Sequence, residues 1–317
     1  MDLFNSLPSD FERVRRLEYT GPIARAWIQA LPTDKSLTMS DDEIRYGLRD
    51  ILLSQFCECQ PEAPNRSCVR CCKANFPRTK HFVSCEKNQA TRTSRHHAIC
   101  NALAPRFRDT YQVTCQREFI VGTFVRNMRS TNVKSDIRFI LDGEEFNYDV
   151  GITTPLCPRE SEPVVWPADA QIDERLATAR STTSVLPMWH DPIDDDVEAV
   201  GPSSSDENVE ALRVRMFRQL AWQQAILPAI QAMERDKCNH YQLVNKYVTP
   251  LICTAGGSVS ETFKQTLQQL AAKSHTGFRD RALFKARLRG HISILLIKFA
   301  AHMRRDQCAF VASGRSA

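Results

Sequence analysis

No apolar run in this 317-residue chain is long enough to cross a bilayer. The longest, Ile292-Ser-Ile-Leu-Leu-Ile-Lys298, falls far short of the ~20 residues that a spanning helix needs. The opening Met-Asp-Leu-Phe-Asn-Ser lacks a basic stretch followed by an apolar run, so no signal peptide is expected. No internal repeat is evident. Charge of one sign is not in large excess either: the net charge is +5, with 25% charged and 42% hydrophobic residues, an ordinary globular balance. A soluble intracellular protein with no membrane partner is the expectation.

Beneath that modest net charge the distribution is uneven. Residues 158–210 hold thirteen acidic side chains against three arginines, which leaves the rest of the chain at about +15. A basic body with an acidic insert points to a polyanionic partner.

Cysteine is not scarce. Six of the twelve fall between Cys57 and Cys85. Without a secretion signal, metal ligation is favoured over a disulfide framework. The segment also carries Pro61, Pro64, Asn65 and Pro77 and little apolar periodicity, so something other than a core must order it. Cys68-x2-Cys71 forms a knuckle, and His81-x3-Cys85 places two more ligands one helical turn apart. Four protein ligands describe a structural zinc site rather than a catalytic one. Cys57, Cys59 and Cys72 are spare candidates.

The first fifty residues read as short helices. Ala24-Arg-Ala-Trp-Ile-Gln-Ala-Leu stops at Pro32, and Ser40-Asp-Asp-Glu43 caps a helix through Ile44, Leu48 and Leu52. From Ser94 the pattern is helical, with Ile99, Leu103 and Phe107 on one face. Strands are expected over 111–121, 136–141 and 146–152, the last two joined by Asp142-Gly143, a favoured hairpin turn. Residues 158 to about 208, rich in Pro, Ser, Thr and acid, read as largely disordered. A long helix is expected over 209–244, broken at Pro228. A strand over 247–253 follows, then a helix capped by Ser258-Val-Ser-Glu261 and a last helix over about 279–305. Arg and Lys line the polar side of that last helix, as solvated surface or as a DNA contact.

An acidic pair sits on the two hairpin strands. Asp136 begins one and Asp149 ends the next, so the turn can bring both to one sheet edge, with Glu118 as a third oxygen. Paired carboxylates hold the magnesium that phosphodiester cleavage needs, and a nearby lysine steadies the developing charge. Their alternative role is that of strand-end residues facing water.

In this order the motifs resemble the C-terminal region of non-LTR retrotransposon polyproteins, whose endonuclease is of the restriction-enzyme-like type. The resemblance runs through Ala24–Pro32, Asp42-Glu43-Ile-Arg-Tyr, the Cys-Cys-His-Cys knuckle and Ser94-Arg95-His96. It continues through Lys134-Ser135-Asp136, Asp149-Val-Gly-Ile, Lys237-Cys-Asn-His-Tyr241 and Val248–Gly257. It covers most of the chain outside 158–208.

The resemblance implies an α/β fold with a PD-(D/E)xK core, a mixed sheet flanked by helices, behind a helical segment and a zinc knuckle. It implies Asp136 and Asp149 as magnesium ligands and Lys237, in a Lys-x3-Tyr pattern with Tyr241, as the catalytic lysine. Gly151 stands where many such nucleases carry that lysine. Arg95, His96 and Tyr241 are the implied DNA-facing residues. Ser135 replaces the family's usual proline.

The implied organisation is a helical segment at 1–56, the knuckle at 57–93 and a first half-core at 94–157. The insertion at 158–208, the second half-core with C-terminal helices at 209–305 and a tail at 306–317 follow. The implied function is nuclear: metal-dependent nicking of target DNA, with the element's RNA as a further partner. No Tyr/Phe-x-Asp-Asp polymerase motif is present. A catalytically inactive zinc- and DNA-binding remnant is the alternative, and a cellular zinc-bearing interaction protein a third.

Overall fold

A computed structural model describes residues 10–19, 21, 23–30, 35–52, 83, 85–155, 166–181, 207–274 and 277–312. These residues form a mixed α/β fold in which a four-stranded mixed sheet is flanked by helices. The helices are α1 (Asp10–Glu18), α2 (Ala26–Gln29), α3 (Asp41–Ile51), α4 (Gln89–Tyr111), α5 (Asp169–Ser181), α6 (Glu207–Ala225), α7 (Leu227–Gln242), α8 (Glu261–Ser274) and α9 (Phe278–Ala312). The strands are β1 (Gln116–Arg126), β2 (Arg129–Leu141), β3 (Glu144–Thr153) and β4 (Thr249–Thr254). Among the described residues no helix is long and apolar enough to cross a membrane.

Sheet order follows chain order. β1, β2 and β3 are antiparallel neighbours, and β4 returns parallel to β3 after α5, α6 and α7. A parallel return needs a long crossover, which these helices supply. The β2–β3 turn is the expected Asp142-Gly143, with φ of 52° and 82°. Two left-handed residues match the twist of the strands they join.

Alternation sets the faces. Val133, Ser135, Ile137 and Phe139 of β2 are buried, whereas Lys134, Asp136, Arg138 and Ile140 are half-buried or exposed. The buried side meets Ile99, Leu103 and Phe107 of α4, with α8 and α9 completing that core. The other face of the sheet is covered by α1, α6 and α7 through Leu17, Phe217, Trp222 and Ile230, with Ile252 of β4 pointing to them. A third cluster seats Trp27 and Tyr46 on Ile294 and Ile297 of α9.

Several expectations from the sequence change. The helix through Leu103 runs on to Tyr111, where Gln112 ends it in a left-handed conformation (φ 54°), so the first strand begins at Gln116 rather than at 111. Within the stretch expected to be largely disordered, Asp169–Ser181 is helical, held by buried Ile172 and an Arg213–Asp173 ion pair of 2.7 Å. The 209–244 helix does break beside Pro228, which opens α7. Within Ser258-Val-Ser-Glu261 the serine that caps α8 is Ser260, whose Oγ accepts from Phe263 N at 3.2 Å. Ser258 is occupied instead by Trp222 Nε1 and the Glu18 carbonyl. By contrast, the Ser40–Glu43 capping box forms as its spacing requires.

Gly257 joins the turn after β4 to the N-terminal segment. Its φ is +97°, and a Cβ there would meet the Ala24 backbone Cα at 2.6 Å. Gly257→Ala is therefore expected to cost about 2–4 kcal/mol in urea denaturation, because strain and a backbone clash add.

Candidate active site

The antiparallel register pairs Ile137 with Tyr148, so the next position outward sets Asp136 against Asp149. The two carboxyl groups lie close enough for each to shift the other's titration. Asp136 Oδ2 accepts from Val150 N at 2.7 Å and lies 2.9 Å from His96 Nε2. That ring nitrogen is also 3.1 Å from the Val150 carbonyl. Two acceptors around one nitrogen fix the tautomer, with Nε2 carrying the hydrogen. Lys237 Nζ donates to Asp149 Oδ1 at 2.5 Å, across 88 residues of chain. The side chains of Asp136 and Asp149 are 14% and 8% exposed, so the group is largely sheltered from water.

These two acids do not titrate independently. Burial raises Asp149 most, and the Asp136 charge adds to it, against the pull of Lys237; the result is about 7. Burial acts the same way on Asp136, but hydrogen bonds from His96 and Asp149 outweigh it, and its pKa is lowered. A contact of 2.5 Å to Lys237 favours an ionised Asp149, whereas burial and the Asp136 charge favour a protonated one. Burial is decisive: two carboxylates sheltered side by side cannot both ionise cheaply, so the pair retains one proton to unusually high pH.

Lys237 reaches Asp149 from α7, and no side chain fits at Gly151 of β3. A Cβ on Gly151 would lie 2.5 Å from Ile252 Cδ1 and 2.6 Å from Met233 Sδ, so any side chain there must displace both. One turn beyond Met233 on α7, Lys237 reaches the acid from the side. Tyr241, a further turn along, donates its hydroxyl to the Lys134 carbonyl at 2.6 Å and ties α7 to the strand that carries Asp136. Tyr241→Phe is expected to lose about 1–2 kcal/mol of stability, because a partly buried carbonyl loses its donor. A thermal melt and a urea titration would both register it.

Other residues named from sequence fall elsewhere. Tyr241 is fully buried and so no surface contact; burial, then the Asp149 and Asp136 charges, drive its hydroxyl pKa upward. Arg95 is 2% exposed, within α4, and burial lowers its guanidinium to about 10. It cannot reach a phosphate on the surface, since the helix phase that exposes His96 turns its neighbour inward. Glu118, with φ of 50°, directs its half-exposed carboxylate to His97 at 3.1 Å. That contact takes it away from the third-oxygen role. Of the four zinc candidates, Cys85 is buried just before α4, while Cys68, Cys71 and His81 lie outside the described residues. Cys57, Cys59 and Cys72 lie outside them too.

One donor was not foreseen. Cys100 Sγ lies 3.8 Å from His96 Nε2, and the ligand atoms of His96, Cys100 and Asp136 all fall within 4.8 Å of one another. His96-x3-Cys100 on one helix face is the spacing that could have signalled it. Burial, then the Asp136 charge, push the Cys100 thiol well above its ordinary range, so it stands as a protonated neighbour to the acids. Scans of family models, curated proteins and solved structures return no match to this chain.

Proposed function

We propose that this chain is a metal-dependent DNA endonuclease of the PD-(D/E)xK type, related to the C-terminal region of non-LTR retrotransposon proteins. The observation that carries it is the meeting of Asp136, Asp149 and Lys237 on β2, β3 and α7. The order α4-β1-β2-β3, then α5, α6 and α7, then β4, with its antiparallel hairpins and parallel return, supports the same core.

The donor set suits magnesium: two hard carboxylate oxygens, largely sheltered from water. Held by Asp136 and Asp149, the ion would neutralise charge on the scissile phosphate and lower the pKa of an attacking water. Hydrolysis joins a water oxygen to phosphorus, breaks one P–O ester bond and delivers a proton to the leaving hydroxyl. For this the protein supplies position. Asp149 would hold the cation as a carboxylate, its proton released to solvent, and Lys237 would then be placed to meet the phosphate oxygens. His96 and the Val150 amide hold Asp136 in orientation throughout. A structural zinc at Cys68, Cys71, His81 and Cys85 belongs to the same proposal.

Supercoiled plasmid incubated with the protein should relax in Mg2+ and stay intact with chelator. Salt-sensitive DNA binding without nicking would identify an inactive DNA-binding remnant. No binding at low salt would remove both.

A further inference from the structure

The β1–β2 hairpin extends well beyond the sheet. β3 pairs with β2 only over Ile137–Leu141, yet the β1–β2 ladder continues out to Arg126↔Arg129. The projecting part is exposed throughout Arg129–Asn132, and Val125 and Met128 are 72% and 101% exposed. At the tip, Asn127 and Met128 both have positive φ, 50° and 60°. A methionine is an unfavourable residue for that conformation, and it is held there with its side chain wholly in solvent.

The arm is anchored beside the acid pair. A Cβ on Gly122 would meet Val244 Cβ at 2.6 Å, and the Phe124 ring packs edge-on against His240 with centroids 5.8 Å apart. His240 lies on α7, the helix that presents Lys237 to Asp149. From Gly122 to Lys134 the sequence carries Arg126, Arg129 and Lys134 and no acid.

We infer that this arm is a DNA-reading ribbon that seats in the groove of duplex DNA beside the phosphate to be cut. The inference rests on the nuclease reading above. Arg129 and the Lys134 side chain would meet backbone phosphates, and Met128 would press on base edges or a base step. A two-stranded ribbon fits the B-form major groove, and apolar tips are used at base steps in the minor groove. Arg129 is seven residues from Asp136 along β2, roughly 20–25 Å at strand rise, about seven base-pair steps of duplex. A fully apolar hairpin would suggest a protein partner instead; here the cations and the polar Ser130, Thr131 and Asn132 favour a polyanion.

The test is binding of a labelled duplex by the full chain, with Ca2+ in place of Mg2+, across a salt series. Arg129→Ala with Lys134→Ala should weaken binding about tenfold or more and lower the salt slope by about two, since each lost phosphate contact removes ~0.9. Met128→Ser should weaken binding with the slope kept. Thermal melts of these variants should match the parent, because the substituted side chains are exposed. Duplex RNA of the same sequence should bind less tightly, its major groove being too narrow for a ribbon. The ribbon is refuted if the arginine–lysine variant keeps the parent's affinity and slope while the parent binds and nicks DNA. It is equally refuted if only RNA binding falls, or if Met128→Ser dissolves a dimer and leaves DNA affinity intact. A parent that binds no duplex at low salt removes the nuclease reading and the ribbon together.

Discussion

Asp149→Asn is expected to abolish Mg2+-dependent nicking and, at pH 8, to make the protein more stable. The first effect follows from the donor set. An amide cannot replace an anionic oxygen on Mg2+, and a loss on the order of a thousandfold or more, about 4 kcal/mol of transition-state stabilisation, is expected. Asp136→Asn should match it, since in the proposed mechanism both acids would hold the same ion.

The stability effect has a definite sign. In the folded protein Asp149 holds its proton up to about 7, against an ordinary 3.8. Between those values the folded state binds a proton that the unfolded chain has released, so stability declines as pH rises and the penalty is complete above about 7. Asparagine keeps the shape and removes the charge. A gain of about 1–2 kcal/mol, or roughly 2–5 °C in Tm, is expected at pH 8, moderated because Lys237 loses its partner. Below pH 4 the gain should vanish. A variant less stable than the parent at pH 8 would contradict a proton shared by the acid pair. Nicking by the parent should likewise weaken as pH falls below about 7, where Asp149 holds its proton against an incoming cation.

Asp50→Ala is expected to cost about 3–5 kcal/mol, because it breaks a buried ion pair. Arg15 on α1 is 2% exposed, and its Nε and Nη2 lie 2.9 and 2.7 Å from Asp50 Oδ1 on α3. Its Nη2 also donates to the Asp50 carbonyl at 2.9 Å. Removing the carboxylate takes from a buried guanidinium the ion pair it makes with Asp50. The double variant Arg15→Met with Asp50→Leu should recover most of the loss, because burying the pair costs desolvation that an apolar pair does not incur. Urea denaturation of the two single variants and the double variant closes the cycle. Additive losses would mean that the two residues act independently.

The site divides in the same way between what is local and what is distant. Asp136 and Asp149 were legible because a hairpin with an Asp-Gly turn has one register, and alternation then fixes which side chains meet. Lys237 was reached only through a motif resemblance, because no local rule ties residues 88 apart. Arg95 and Tyr241 were misjudged for a common reason. A polar residue beside a functional one looks exposed in sequence, yet helix phase turns Arg95 inward and Tyr241 serves as a tie between α7 and β2. Cys100 passed unnoticed because its single thiol acquires meaning only when His96 and Asp136 converge on it.

Sequence alone determined the features governed by neighbours within a few residues. These are the Ser40–Glu43 cap, the Asp142-Gly143 turn, the break at Pro228 and the inward face of β2, since backbone dihedrals and side-chain periodicity act over that range. Tertiary structure decided that Lys237 of α7 meets Asp149, whether residues 169–181 fold onto α6, and which serine of Ser258-Val-Ser-Glu261 caps α8. Each of those outcomes depends on burial against a distant element, whose free energy is set only once the layers have packed.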